Sequence, residues 1–275
     1  MRFVRAGVVM IFILSLVIFG VSRVVLFQNR DPNEPEIVSD REILEIPCEY
    51  TQEQLLEGLT ASDQEDGDLT SQIVAGSFSR FIEPGLCNMT YVVFDSADQP
   101  ASLTRQVRFT DYHSPRFTLT EPLVFSEGEG SYDELMGRLG AQDQLDENLS
   151  DWITQTDTDV NYQRAGSYTT TLEMSNSLGD TVTQDLPIHV VAAEGHSLEI
   201  VLNTGIVYID QGSGIDAAAY IQELLDNQGN NLDTSLISSE SNVDPQTPGC
   251  YEVHYQAEDG QGNSGETWLT VIVEG

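Results

Sequence analysis

The chain of 275 residues contains no lysine. All eleven bases are arginine, against 45 acids, for a formal net charge of −34. No acid precedes Asp31, so residues 31–275 carry all 45 acids and only seven arginines, a balance of −38. Such a field repels nucleic acid, whose binding rests on Lys/Arg contacts with phosphate, and that class of partner is excluded. A surface bathed in cations, or a general acidic bias, accounts for the charge without a specific ligand. Histidine is also scarce. His113, His189, His196 and His254 are scattered, and no G-x-S-x-G, H-E-x-x-H or Cys/His set accompanies them. They read as surface or packing residues. Acid pairs for glycoside hydrolysis can be drawn at will from 45 candidates, so their presence carries no information. The expectation is a protein without catalytic residues and without a cofactor. Cysteine is limited to Cys48, Cys87 and Cys250, too few for a disulfide-dense scaffold.

Long apolar runs are absent but for one. Residues 6–22 are apolar after Arg2 and Arg5, and the run continues past Arg23 to Phe27. That length crosses ~30 Å of hydrocarbon as a helix if Arg23 snorkels to the far interface. The basic N-terminus favours a cytoplasmic tail over 1–6, a signal-anchor helix over 7–27, and an extracellular remainder after a linker at 28–36. Gly20 and Ser22 have the small-residue spacing of a cleavage site, which keeps a cleaved signal peptide as the competing reading.

The chain repeats itself three times with a period of 80–83 residues. Gly85, Gly166 and Gly249 each lie ten residues before Asp95, Asn176 and Asp259, and Val107, Ile188 and Val271 lie twelve further on. Upstream, Asp63, Leu69 and Ile73 share their spacing with Asp143, Leu149 and Ile153, and with Asp226, Leu232 and Leu236. Each set comes after a short helix-like run. Cys87, Met89, Tyr91 and Val93 alternate with polar neighbours, and a turn rich in Asp, Asn, Ser and Gly leads into a second alternating run. That pattern predicts a hairpin within a small β-sandwich.

The stretches "LTASDQEDGDLTSQI" and "EPGLCNMTYVVFDSADQPASLTRQVRFTD" resemble the bacterial Ig-like repeat of surface proteins, related to hyalin-type modules and the crystal-toxin-type Ig-like domain. "TPGCYEVHYQAEDGQGNSG" matches its second half. The second copy departs from it at Ala165 and Asn176. The resemblance covers roughly 37–274. It implies an all-β fold of three tandem Ig-like β-sandwich domains, at 37–112, 115–192 and 197–275, after the transmembrane helix. It implies extracellular display on the cell membrane and no particular reaction. The expected role is a structural stalk or adhesion module with an unknown protein or glycan ligand. A carbohydrate- or calcium-binding accessory module of an envelope enzyme or assembly is the alternative.

Asp63, Glu65, Asp66 and Asp68 crowd around Gly67 and are the candidate calcium ligands. The charge fades in the later copies while the leucine register holds. That favours a turn whose Asp and Asn side chains bond nearby backbone N–H groups, with Asp63 and Asp68 in that role. Glycine also falls at position five, which breaks the EF-hand pattern. A weak, partly hydrated calcium site is the alternative. Cys48 and Cys87 are expected to pair outside the cell, with two buried free thiols as the alternative, and Cys250, left without a partner in its repeat, is either a buried small hydrophobe or an exposed thiol able to pair between chains. Trp268 is out of phase with Leu269, Val271 and Val273. With Cys250, it is a candidate exposed contact.

Overall fold

The computed structural model describes residues 12–22, 34–192 and 197–275. Helix α1 occupies 12–22, and its Phe12, Leu16, Ile18 and Phe19 are more than half exposed. Arg2, Arg5, most of the linker, His196, and the ends of the expected membrane span, 7–11 and 23–27, lie outside the described residues. Among the described residues no helix is long and apolar enough to cross a membrane. The structure therefore gives no support to the transmembrane part of the expected fold.

Thr110 ends one compact unit and Asp111 opens a second that runs to Gly275. The first unit holds strands β1 (Glu36–Ser39), β2 (Ile43–Ile46), β3 (Leu59–Asp63), β4 (Gly67–Asp68), β5 (Val74–Phe78), β6 (Leu86–Phe94) and β7 (Pro100–Phe109). Helix α2 (Gln52–Leu55) precedes β3. Its start is a reciprocal cap: Thr51 Oγ1 accepts from Gln54 N–H, and Gln54 Oε1 accepts from Thr51 N–H at 2.7 Å. The strands form two sheets, β1-β3-β4 and β2-β7-β6-β5. β6 and β7 make the long hairpin, in register from Leu86–Arg108 to Phe94–Pro100. Successive side chains of a strand point to opposite faces, so Cys87, Met89, Tyr91 and Val93 all turn inward, each at most 1% exposed.

The second unit repeats this plan twice. Its first part has β8 (Arg116–Leu119), β9 (Val124–Ser126), helix α3 (Tyr132–Arg138), β10 (Leu139–Asp143), β11 (Glu147–Asn148), β12 (Thr154–Thr158), β13 (Gly166–Ser175) and β14 (Thr181–Val191). Its second part has β15 (Glu199–Leu202), β16 (Ile206–Asp210), β17 (Ile221–Leu225), β18 (Ile237–Ser241), β19 (Gly249–Glu258) and β20 (Ser264–Glu274). The larger sheets, β9-β14-β13-β12 and β16-β20-β19-β18, have the strand order of the first unit's β2-β7-β6-β5. In all three the early strand pairs in parallel with the last one, β2 with β7, β9 with β14 and β16 with β20.

The third copy departs from the first two where the sequence aligned it. Its smaller sheet has only β15 and β17, with an isolated bridge from Leu225 to Asn231 in place of a β4-like strand. Leu69 and Leu149 are 3% exposed, and their N–H groups bond to the carbonyls of Ala61 and Ala141. Leu232 makes the equivalent bond to Leu224 but is only half-buried. Leu224 is itself fully buried and fills the room that the two alanines leave. Leu236 is exposed, unlike Ile73 and Ile153, and the neighbouring Ile237 packs on the core instead.

Candidate functional site

At one end of the first sandwich, two turns meet. Between β3 and β4, Asp63 Oδ1 accepts from the backbone N–H groups of Glu65 at 2.7 Å and Asp66 at 2.9 Å. Those bonds to Asp66 and Glu65 hold the Asp63 carboxyl below its ordinary value. Asp68 Oδ1 accepts from Thr70 N–H at 2.9 Å, and Thr70 likewise lowers its carboxyl. Gly67 closes the turn at a φ of 75°, where a side chain is disfavoured. Between β6 and β7, Asp95 Oδ1 accepts from Ala97 N–H at 2.9 Å and Gln99 N–H at 2.7 Å. Asp66 Oδ2 takes the N–H of Ser96 at 2.7 Å and ties one turn to the other.

Asp63 and Asp95 are 8% and 6% exposed, and the second oxygen of each, Oδ2, is buried with no hydrogen-bond partner among the described residues. Glu65, Asp66 and Asp68 face solvent. The described residues contain no group of three or more His, Cys, Asp or Glu side chains placed to hold a metal ion. Asp95 escaped notice as a site residue because it served only to mark the hairpin's spacing. The signal was in the alternation of Asp95, Asn176 and Asp259 at that aligned position.

The other copies satisfy the same two positions with amides. In the second, Asp143 Oδ1 caps its turn through the N–H groups of Leu145 and Asp146, and Asp143 Oδ2 accepts from Asn176 Nδ2 at 3.2 Å. Asn176 Nδ2 also bonds to the Tyr112 hydroxyl, which in turn donates to Asp180. Asp146 Oδ2 accepts from Ser177 N–H, reproducing the tie between the turns. In the third, Asp226 and Asp259 each accept the side-chain amide of the asparagine four residues on, Asn230 and Asn263.

Cys48 and Cys87 are both buried and are not joined to each other in the structure. The register gives the reason. Cys87 lies opposite Val107, and Val107 opposite Leu44, whereas Cys48 lies beyond the end of β2. Burial pushes the Cys87 thiol up to about 11 and the Cys250 thiol up to about 12. Cys250 is not an exposed contact: it packs, half-buried, on the core of the second repeat. Trp268 is also not a free platform, because both faces of its indole are covered. His189 stacks on it at 3.9 Å between ring centroids and His254 at 4.1 Å. The exposed tryptophan is Trp152, at 66%, in the short 3-10 turn before β12.

These contacts join the second and third repeats inside the second unit. His189 Nε2 meets Glu252 Oε1 at 2.5 Å, and its Nδ1 meets Ser167 Oγ at 3.0 Å. Arg116 pairs with both carboxylate oxygens of Glu274. Tyr208 takes the N–H of Phe117 at 2.8 Å, and burial raises its hydroxyl's proton affinity. Ile206 and Ile272 of the third repeat belong to the second repeat's core cluster. Gly205 backs against the second repeat so closely that an added Cβ would sit 2.7 Å from the Glu121 carbonyl oxygen. The sequence hid this junction because its parts are spread over six strands, β8, β13, β14, β16, β19 and β20.

Comparison with known proteins agrees with the fold. Residues 195–273 match the family model of the bacterial surface protein, Ig-like domain. The pesticidal crystal protein Cry22Aa of Bacillus thuringiensis is 25% identical over 224 residues, which is 79% of this chain and 30% of that protein. An uncharacterized 81.3 kDa protein of Acholeplasma phage L2 is 27% identical over 142 residues, 51% of this chain and 19% of its own length. The chain thus spans less than a third of either relative. Among solved structures, a Clostridium perfringens ZmpB fragment with CBM51-2 and INT domains is 18% identical, with a TM-score of 0.24 over 60% of this chain and 31% of the fragment. Protocadherin gamma B2 cadherin domains 1–5 are 12% identical, with a TM-score of 0.19 over 88% of this chain and 60% of that one. At such TM-scores, neither structure bears on function.

Proposed function

We propose that this chain, whose third repeat matches the Ig-like domain of bacterial surface proteins, is a surface-displayed spacer or adhesion module with its N-terminal segment in the membrane. The observation that carries the reading is the repetition of one strand order in three successive larger sheets, with the second and third repeats joined by buried side chains into one unit. Repeats that hold a fixed attitude to each other set a distance between an anchor and whatever sits beyond. The anchor rests on the sequence alone, on the apolar run to Phe27 after Arg2 and Arg5. The reading assigns the protein no catalytic residue.

Proteinase K added to intact cells is expected to remove a C-terminal epitope and spare an N-terminal tag. Amine-reactive labels are unsuited to the test, because without lysine they report only the amino terminus. A C-terminal epitope that resists protease on intact cells but is digested after lysis would sink the proposal. The glycan-binding alternative has one observation in its favour, the exposed indole of Trp152, which offers a sugar a stacking face. Binding on a glycan array that vanishes in Trp152→Ala would promote that reading.

A further inference from the structure

We infer that the first repeat binds a hydrated divalent cation, calcium by preference, between Asp63 and Asp95. This is a different constellation from the turn acids Glu65, Asp66 and Asp68. The three copies carry the same two positions in their turns, and two of them meet the carboxylates with a side-chain amide, buried in the second copy and nearer the surface in the third. Asn176 supplies it to Asp143 in the second copy. Asn230 and Asn263 supply it locally to Asp226 and Asp259 in the third. The first copy has neither solution. Gly67 stands four residues after Asp63, and Gln99 four after Asp95, where it gives its backbone N–H to Asp95 Oδ1. Asp95 itself replaces the bridging asparagine.

Two buried carboxylate oxygens are thereby left without a hydrogen-bond partner among the described residues, in residues more than nine-tenths buried. The tie from Ser96 to Asp66 matches that from Ser177 to Asp146, so the two turns meet as they do in the second copy, where the equivalent side chains touch. Each carboxylate also takes two backbone N–H groups on its other oxygen, so that oxygen is engaged and Oδ2 alone is left to face the gap between the turns. A buried carboxylate oxygen without a partner is costly unless a donor or a positive charge meets it. Oxygen-only donors select a hard cation. Calcium takes six to eight oxygens in flexible geometry, and two from the protein leave the rest to water and backbone carbonyls. Magnesium demands a stricter octahedron and releases water reluctantly. So few protein ligands place the affinity in the range of extracellular modules, on the order of 10⁻⁴–10⁻³ M.

The test is calorimetric titration of the full chain in detergent with calcium chloride, at constant ionic strength so that screening of the acidic surface is not read as binding. One saturable site per chain is expected, with a dissociation constant in that range. Asp95→Asn installs the amide that the second repeat uses. It is expected to fold, to lose the site, and to melt at or above the parent's temperature when calcium is absent. The converse variant, Asn176→Asp, recreates the pair in the second repeat and is expected to raise the stoichiometry to two, which keeps the test decisive if Asp95→Asn does not fold. The inference is overturned if neither calcium nor magnesium gives saturable heat. It is equally overturned if binding persists undiminished in a folded Asp95→Asn, or if Asn176→Asp leaves the stoichiometry unchanged. An infrared carboxylic-acid band at neutral pH that disappears in Asp95→Asn would show a shared proton in the cation's place, and would also overturn it.

Discussion

Arg105 stands where the other two repeats carry the buried leucines Leu186 and Leu269. It is 4% exposed and lies over the Tyr91 ring, 4.9 Å from its centroid. Its guanidinium donates to the Leu55 carbonyl at 2.9 Å, the Glu57 carbonyl at 2.8 Å, and the hydroxyls of Ser39 and Tyr91. It thus fastens α2 and the end of β1 to the hairpin. Arg105→Ala leaves those carbonyls unsatisfied and opens a cavity, and is expected to destabilise the first unit by about 3 kcal/mol in urea denaturation. Loss below ~0.5 kcal/mol would show that water replaces the guanidinium. The capping aspartates set a pH limit at the same scale. Backbone N–H bonds and neighbouring side chains lower the carboxyls of Asp63, Asp68, Asp226, Asp233, Asp244 and Asp259 below the ordinary 3.8. A carboxyl depressed in the folded state binds protons more readily when unfolded. Its contribution is complete above 3.8 and is lost as pH falls through the lower folded value. Thermal melts should therefore show a fall in stability beginning near pH 4 and continuing downward, shallower when Asp226 and Asp259 are both replaced by Asn.

At the level of strands and turns, the leucines that come after each acidic turn differ in what they hold. Leu69→Ala and Leu149→Ala each remove a buried side chain, and are expected to cost ~2–5 kcal/mol if the pocket cannot collapse. Leu232→Ala should cost distinctly less, because Leu224 already occupies the space beneath it. Equal costs in all three would refute that account of the third copy. The sequence period made the hairpins legible: the ungapped spacing from Gly85 to Val107 recurs twice, and the alternation of Cys87, Met89, Tyr91 and Val93 names their buried face. The acidic turn was legible too, since Asp and Asn at its two ends bond backbone N–H groups in every copy. The departure at Leu236 was not legible because spacing cannot report volume, and with Leu224 in place of alanine it is Ile237 that packs on the core. Trp268 was misread because strand phase locates a side chain on a sheet face but does not say what covers that face. Asp95 was unread because its meaning depends on Asp63, 32 residues away in sequence.

For the whole molecule, the three repeats of the sequence become two compact units. Calorimetry of the full chain is expected to show two cooperative transitions, since Ile206, Ile272 and Tyr208 make the second repeat's core incomplete without the third. Gly205→Ala forces a methyl against the Glu121 carbonyl and should split the second transition or lower it by several degrees. Three transitions in the unaltered chain would show the junction to be energetically idle. The net charge of −34 acts on every part of this assembly.

The parallel pairing of an early strand with the last strand of each repeat bears on how the protein responds when pulled. Tension applied through the ends of a repeat runs along both partners of that pair, so its ladder is sheared and its rungs must break together. An antiparallel pair loaded from one end would open like a zipper, one rung at a time. The ladders differ in extent: β16 meets β20 at five positions, β2 meets β7 at four, and β9 meets β14 at three. Atomic-force stretching of the chain should accordingly find the third repeat yielding at the highest force and the second at the lowest. Proline at Val207, inside the longest ladder, should erase the highest peak while leaving that of the first repeat in place. A rupture order that tracks thermal stability in place of ladder length would refute this account of how the repeats bear load.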